Sequence, residues 1–213
     1  MSNKETVKTY FDRWADGIGW LELNYLHPPF LTGVIKGIPL EKGSKVIDVG
    51  CGTGWASRDL AKMLAEGEVV GLDISERLIS KAKELTLMDT SSDYENLVYE
   101  VAEAENIPYP SNYFNHAISF VSFSWWVRPD EVLREIERVL KPNGRLYVAD
   151  VYDKGMGRML SMICNCFSSF KENIYSANDY REFFDRNFTN VYQRKISPFG
   201  WGLLTIGTKT QVH

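Results

Sequence analysis

The residues best suited to chemistry form a glycine loop, Gly50-Cys51-Gly52-Thr53-Gly54, which directly follows a β-branched apolar run and opens a helical pattern. Glycines between a strand and a helix allow the backbone to approach a nucleotide-like ligand closely. A dinucleotide fingerprint would need glycine where Trp55 stands, and a phosphate-binding loop would need a Gly-Lys-Ser/Thr sequence that the chain lacks. The spacing therefore favours a ligand with a ribose and no phosphates. The alternative is a tight turn without a ligand.

An acidic residue at the end of the next strand supports a ribose. Asp73 lies nineteen residues beyond Gly54, where its carboxylate can accept hydrogen bonds from both ribose hydroxyls. It could instead cap the helix predicted over 75–85, but Ser75 is better placed for that role. Together the loop and Asp73 predict a site for a ligand that contains a ribose.

Four motifs in order resemble those of class I S-adenosylmethionine-dependent methyltransferases, in their quinone-biosynthesis-like small-molecule group. The motifs are VIDVGCGTG, GLDIS, AEAENIPYPSNYF and LREIERVLKPNGRLYVAD, within about Val46 to Asp150. The resemblance implies that the cofactor is S-adenosyl-L-methionine and that the product is S-adenosyl-L-homocysteine.

The resemblance also implies roles for single residues. Asp48 would order the loop and the methionine amino end, and Asp73 would bind the ribose. Glu103 would meet the adenine amino group, and the backbone of Ala104 would meet the ring. The remaining cofactor residues that we assign lie in the loop and at strand ends: Gly50, Cys51, Gly52, Gly54, Ile74 and Phe120.

The chain departs from the family pattern at three places. Asn115 stands where an Asp is common, and Glu103 replaces a usual Asp. Ser124-Trp125-Trp126 replaces the histidines that often follow the fourth strand. We therefore expect a more aromatic pocket beside that strand than is typical of the family.

Methyl transfer from a sulfonium is an in-line displacement that depends on proximity and on the exclusion of water, so a base is optional. Aromatic faces can hold the sulfonium by about 0.5 to 2 kcal/mol each. The candidates are Tyr10, Trp14, Trp55, Trp125 and Trp126, each of which could equally be a core residue. Of these we assign Trp14, Trp125 and Trp126 to acceptor binding.

The segment from Met156 to Phe170 carries Met, Leu, Ile and Phe along one helical face, which predicts either a lid over an apolar acceptor or a core helix. We assign Met159 from this segment to acceptor binding. If a base is used, Asp150 or His27 is the best placed. Cys164 and Cys166 lack a matched ligand set, so no metal is predicted.

The elements that position these residues alternate between strands and helices. Strands are predicted at 45–49, 69–72, 97–101, 114–120 and 145–151, with helices at 56–65, 75–85 and 130–140, the last capped at Asp130. A helix at 176–184 and two strands within 191–208 follow. The pattern predicts an α/β fold: a doubly wound Rossmann-like sheet, mostly parallel, with an antiparallel strand pair at one edge.

We expect one domain over 1–213, with an N-terminal cap (1–40), a cofactor-binding core (41–151), a lid insertion (152–175) and a C-terminal helix with edge strands (176–213). The net charge of −4 without a basic stripe disfavours nucleic acid as a partner. No signal peptide or membrane span is indicated, and three unmatched cysteines fit a reducing cytoplasm.

The predicted enzyme is thus a methyltransferase that acts on a small apolar or aromatic acceptor. Two alternatives are a non-catalytic S-adenosylmethionine-binding regulator and, more distantly, a nicotinamide-dependent oxidoreductase. The regulator would use nearly the same binding residues. The oxidoreductase would need the missing glycine and a Tyr-x-x-x-Lys or comparable pair, which the chain lacks.

Overall fold

The computed structural model describes residues 4–16, 29–152, 173–196 and 202–211. The helices among them are α1 (Lys4–Asp16), α2 (Pro29–Lys36), α3 (Trp55–Met63), α4 (Glu76–Met88), α5 (Pro129–Val139) and α6 (Ala177–Asp185), with a 3₁₀ turn at Phe123–Trp125. The strands are β1 (Lys45–Val49), β2 (Glu68–Asp73), β3 (Leu97–Val101), β4 (Phe114–Phe120), β5 (Leu140–Val151), β6 (Thr189–Lys195) and β7 (Gly202–Thr208).

The seven strands form one sheet in the order β3-β2-β1-β4-β5-β7-β6. The pairs among β1 to β5 are parallel, whereas β7 runs antiparallel to both β5 and β6. The predicted fold class is confirmed, including the antiparallel pair at one edge. The chain winds from β1 outward to β3 and then returns to the other side of β1 at β4, so the order reverses between β1 and β4.

Hydrophobic burial explains why these segments pair. The central strands are apolar on both faces because helices cover the sheet on each side, and Val46, Ile47 and Val49 are fully buried. Helix α5 is amphipathic: Leu133 and Ile136 share its buried face, and charged residues occupy the other. The resulting rigid sheet fixes the loops at the carboxyl ends of its strands.

Two predicted boundaries were wrong, and both corrections involve proline. Helix α5 is capped at Arg128 rather than Asp130, because Pro129 takes the first helical position, for which its fixed φ is suited. Strand β5 begins at Leu140 rather than Arg145. The Pro142-Asn143-Gly144 turn lies within β5, and the register of its pairing with β4 shifts there, between Phe114 and His116.

The cap expected at Ser75 is present, and the helix predicted over 176–184 also begins after a serine cap. The Ser75 hydroxyl accepts a hydrogen bond from the Leu78 N–H at 3.1 Å. Ser176 forms a reciprocal capping box with Asp179. Ser75 therefore begins α4 and leaves the Asp73 side chain available for another role.

Most of the predicted lid lies outside the described residues, as do Met159, Cys164 and Cys166. The domain divisions predicted from the sequence stay predictions. Within the described ranges, no helix combines the length and apolar character needed to cross a membrane.

Candidate adenosyl-binding site

A cleft of about 870 Å³, open to solvent, lies at the carboxyl ends of β1, β2 and β4. This is where the strand order reverses, the usual ligand position in an open α/β sheet. The cleft is lined by residues from the four loops that follow β1 to β4, from the ends of those strands and from the adjacent helices: Lys4, Val7, Phe11, Gly50, Cys51, Gly52, Thr53, Trp55, Leu72, Asp73, Ile74, Leu78, Ala102, Ala104, Glu105, Phe120, Val121, Ser122, Trp125, Trp126, Val127 and Val132.

The glycine loop forms the floor of the cleft, and its glycines are required by space as well as by conformation. Gly50 has φ +76°, and a Cβ there would lie 2.0 Å from Ser122 Oγ. Gly54 has φ +74°, and a Cβ there would lie 2.3 Å from the Tyr99 hydroxyl oxygen. The Tyr99 hydroxyl in turn donates to the Gly54 carbonyl at 3.2 Å. The loop is therefore fixed from both sides, and its backbone stays accessible to a ligand.

Asp73 lies at the end of β2 with its carboxylate oriented by two backbone donors. Its Oδ2 accepts from the Gly52 N–H at 2.9 Å, and its Oδ1 accepts from the Ser75 N–H at 2.9 Å. Burial raises the pKa of this carboxyl, although the backbone hydrogen bonds oppose that shift. Each oxygen keeps a free lone pair, so the side chain can accept two further hydrogen bonds from a ligand.

Asp48 supports the loop from beneath and does not line the cleft. Its Oδ2 accepts a 2.6 Å hydrogen bond from the Ser57 hydroxyl in the first turn of α3. Burial raises the pKa of Asp48 to about 7. This contact ties β1 to the helix that the loop opens, which accords with the role expected for Asp48 in ordering the loop.

The segment after β3 places its two glutamates differently. The Glu103 carboxylate lies 2.5 Å from Lys4 Nζ and does not line the cleft, whereas Glu105 does and also pairs with Lys4 at 3.3 Å. The Glu103 side chain is 51% exposed and that of Glu105 is 10% exposed. Ala104 lines the cleft as expected. The adenine contact assigned to Glu103 stays a prediction.

An aromatic wall borders the cleft beside the end of β4. Trp125 and Trp126 both line it, as the sequence led us to expect. Trp125 stacks on Tyr10 with ring centroids 5.2 Å apart and an interplanar angle of 18°. The Trp126 indole N–H donates to the Ser122 hydroxyl at 3.2 Å, which connects this wall to the glycine loop. Trp14 does not line the cleft but contacts Phe11 edge to face.

Of the two residues suggested as bases, Asp150 does not line the cleft. Asp150 is buried and accepts from the Ser124 N–H at 3.0 Å, so it braces the turn that carries the tryptophans. His27 lies outside the described residues. Among the residues that the structure describes, no cluster of three His, Cys, Asp or Glu could hold a metal ion.

Of the ten predicted cofactor residues, seven line the cleft and Asp48, Gly54 and Glu103 do not. Sequence reasoning missed Lys4, Val7 and Phe11, which line it from α1. The helical spacing of Val7 and Phe11 predicted a helix, but nothing local indicates where that helix packs. Thr53 was missed although it belongs to the loop. Its buried hydroxyl has no hydrogen-bond partner among the described residues and so can bind a ligand.

Comparisons with known proteins are consistent with this geometry. Residues 40–195 match a family model described as a methyltransferase domain. A demethylmenaquinone methyltransferase of Listeria monocytogenes is 34% identical over 149 residues, which cover 68% of this chain and 59% of that protein. A ubiquinone/menaquinone biosynthesis C-methyltransferase of Neisseria meningitidis is 35% identical over 126 residues, covering 59% of this chain and 50% of that protein. The chain thus spans about half to three fifths of the length of these relatives.

A solved structure also matches nearly the whole chain. It is described as a complex between the Trm112 methyltransferase activator of Haloferax volcanii and a methyltransferase. The TM-score is 0.82 at 26% sequence identity, and the match covers 94% of this chain and 98% of that chain.

Proposed function

The chain belongs to the class I S-adenosylmethionine-dependent methyltransferase family, in its quinone-biosynthesis-like group, and on this premise we propose that it methylates a small apolar or aromatic acceptor. The resemblance drawn from the four motifs is thereby confirmed. The observation that carries the proposal is the Asp73 carboxylate, held by the Gly52 and Ser75 N–H groups at the floor of the cleft. S-adenosylmethionine, the family's cofactor, supplies an electrophilic methyl group on a sulfonium.

The described residues fit the adenosyl part of that cofactor. Asp73 would accept both ribose hydroxyls through the lone pairs that its backbone donors leave free. Ile74 and Ala104 would flank the adenine. The contact of Glu103 with the adenine amino group, which the family resemblance implies, would require its carboxylate to leave Lys4 and turn into the cleft. The Gly50 and Gly52 backbone, which lines the cleft, together with the Thr53 hydroxyl, would bind the amino-acid end.

The aromatic wall supports the acceptor class. Trp125, Trp126 and Phe11 present a largely apolar surface beside the loop, and such a surface suits a planar ring better than a phosphate or sugar. The matched relatives are named for methylation of ubiquinone and menaquinone precursors, so we propose an aromatic ring of the quinol type. The residues would act by holding the acceptor close to the methyl group and by excluding water.

The wider setting is part of the same proposal. The net charge of −4 supports a small-molecule acceptor rather than nucleic acid. Cys51 is a free, buried thiol, which is compatible with a cytoplasmic location. We propose that the chain forms a single domain, with the insertion after β5 over the acceptor.

Labelled donor incubated with the protein and demethylated quinols tests this function, with a cell metabolite extract as a second arm. We expect a labelled product identifiable by mass spectrometry, and less product from the Asp73→Ala variant when the donor concentration is limiting. Tight S-adenosylhomocysteine binding with no labelled product in any arm would favour the non-catalytic regulator. Tight NAD binding would overturn the proposal.

A further inference from the structure

Helix α1 carries a polar stripe in which every fourth residue contacts the elements of the proposed donor site. The stripe consists of Lys4, Lys8, Asp12 and Asp16, which share one face because residues four apart lie above one another on a helix. Each member of the stripe has a partner outside α1.

The partners flank Asp73 and the segment after β3. Lys8 Nζ lies 3.1 Å from Glu76 Oε1, and Asp12 Oδ1 accepts a 2.6 Å hydrogen bond from the Ser75 hydroxyl. Asp16 pairs with Arg77. Ser75, Glu76 and Arg77 begin α4, immediately after the strand end that presents Asp73. The stripe therefore binds the segment proposed to hold the ribose.

The fourth contact reaches the opposite side of the same site. Lys4 Nζ lies 2.5 Å from Glu103 and 3.3 Å from Glu105. These glutamates flank Ala104, which we propose to lie against the adenine. The stripe thus bridges the ribose side and the adenine side of the cleft.

A second stripe on α1 faces the cleft itself. Val7 and Phe11 line it, and Phe11 meets Trp125 edge to face with centroids 5.1 Å apart. Tyr10 stacks on the same indole. Helix α1 therefore roofs the donor site and also contacts the acceptor wall.

Helix α1 is held over the donor site by few buried contacts and by exposed ion pairs. Val7 is the one buried residue within α1. The Lys8–Glu76 side chains are 29% and 70% exposed, and those of Arg77 and Asp16 are 56% and 59% exposed. Ion pairs this exposed contribute little each and weaken as salt rises. A helix with few buried apolar contacts and screened ion pairs opens at low cost.

We infer that α1 is a salt-sensitive lid whose polar stripe controls exchange of the donor and its product. The inference rests on the proposed function, because it assigns the donor to the cleft beneath α1. It predicts that weakening the stripe speeds the release of S-adenosylhomocysteine.

The test compares two double variants that leave the net charge unchanged. Lys8→Gln with Asp16→Asn removes one cation and one anion from the stripe. Glu5→Gln with Arg13→Gln removes the same charges from exposed positions of the same helix, outside the stripe. Release of S-adenosylhomocysteine is followed by stopped-flow tryptophan fluorescence after a chase with unlabelled donor, since Trp55, Trp125 and Trp126 line the cleft.

The stripe variant should release the product about threefold to tenfold faster than the wild type, and the control should stay within about twofold. Raising the salt from about 0.05 M to 0.5 M should speed release from the wild type but barely from the stripe variant. Equal rates for the two double variants, or a wild-type rate independent of salt, would overturn the lid, while binding of the product would uphold the proposed donor site beneath α1. No binding by the wild type would overturn both.

Discussion

Replacing Asp73 by alanine is the most informative single change in the cleft. The carboxylate accepts one hydrogen bond from Gly52 and one from Ser75, which leaves one lone pair on each oxygen for a ribose hydroxyl. Losing these charged contacts should weaken S-adenosylhomocysteine binding by about 1 to 3 kcal/mol, or roughly 5- to 150-fold in Kd. Isothermal titration calorimetry measures this directly.

The same change also removes an acceptor from two buried backbone N–H groups, so stability must be separated from binding. Thermal unfolding of each variant gives the folded fraction, and calorimetry is then run well below the melting midpoint. Asp93→Ala, at an exposed acid far from the cleft, is the matched control and should bind as the wild type does. Wild-type affinity in folded Asp73→Ala would refute the assignment of the ribose to this carboxylate.

Three further perturbations test the supports of the loop. Gly50→Ala should destabilise the protein by about 1 to 3 kcal/mol and impair binding, because φ is +76° and the Cβ would clash with Ser122. Adding Ser122→Gly should recover part of the lost stability in thermal melts. A Gly50→Ala variant with wild-type stability and binding would contradict the geometry. Tyr99→Phe keeps the ring but removes the donor to the Gly54 carbonyl, so the Kd for S-adenosylhomocysteine should rise about twofold to tenfold. An unchanged Kd would show that the Tyr99 hydroxyl does not support the loop. Because burial raises the pKa of Asp48 to about 7, the folded state holds a proton that the unfolded chain releases near pH 4. This carboxyl should therefore lower the stability of the protein as pH rises from about 4 to 7. In thermal melts, the stability of Asp48→Asn relative to the wild type should be greater at about pH 8 than at about pH 5. A difference in stability that is constant with pH would contradict the raised pKa of Asp48.

The parts of the site that were predicted depend on local sequence. A parallel strand must be apolar on both faces and must end at a loop, so the runs before Gly50 and Asp73 are visible in the chain itself. The glycine spacing and the serine caps are likewise local. These features placed the floor of the cleft correctly because the sheet brings the ends of β1 and β2 together.

The contacts that hold α1 over the cleft were not predicted, because they join residues far apart in the chain. Lys4 meets Glu103 across 99 residues, and no periodicity within α1 indicates that partner. Lys4 pairs with both Glu103 and Glu105, although only Glu105 of the two lines the cleft. The errors at Arg128 and Leu140 are of another kind. Pro129 takes the first helical position in place of the expected cap, whereas β5 continues through the Pro142-Asn143-Gly144 turn.

The central claim is that the cleft beside Asp73 binds an adenosyl group without a pyrophosphate. Calorimetric titration of the wild-type protein with S-adenosylhomocysteine, and separately with NAD, tests it most directly. We expect saturable binding of S-adenosylhomocysteine at a single site and no binding of NAD. Tight binding of NAD, or no heat of binding with S-adenosylhomocysteine, would contradict it.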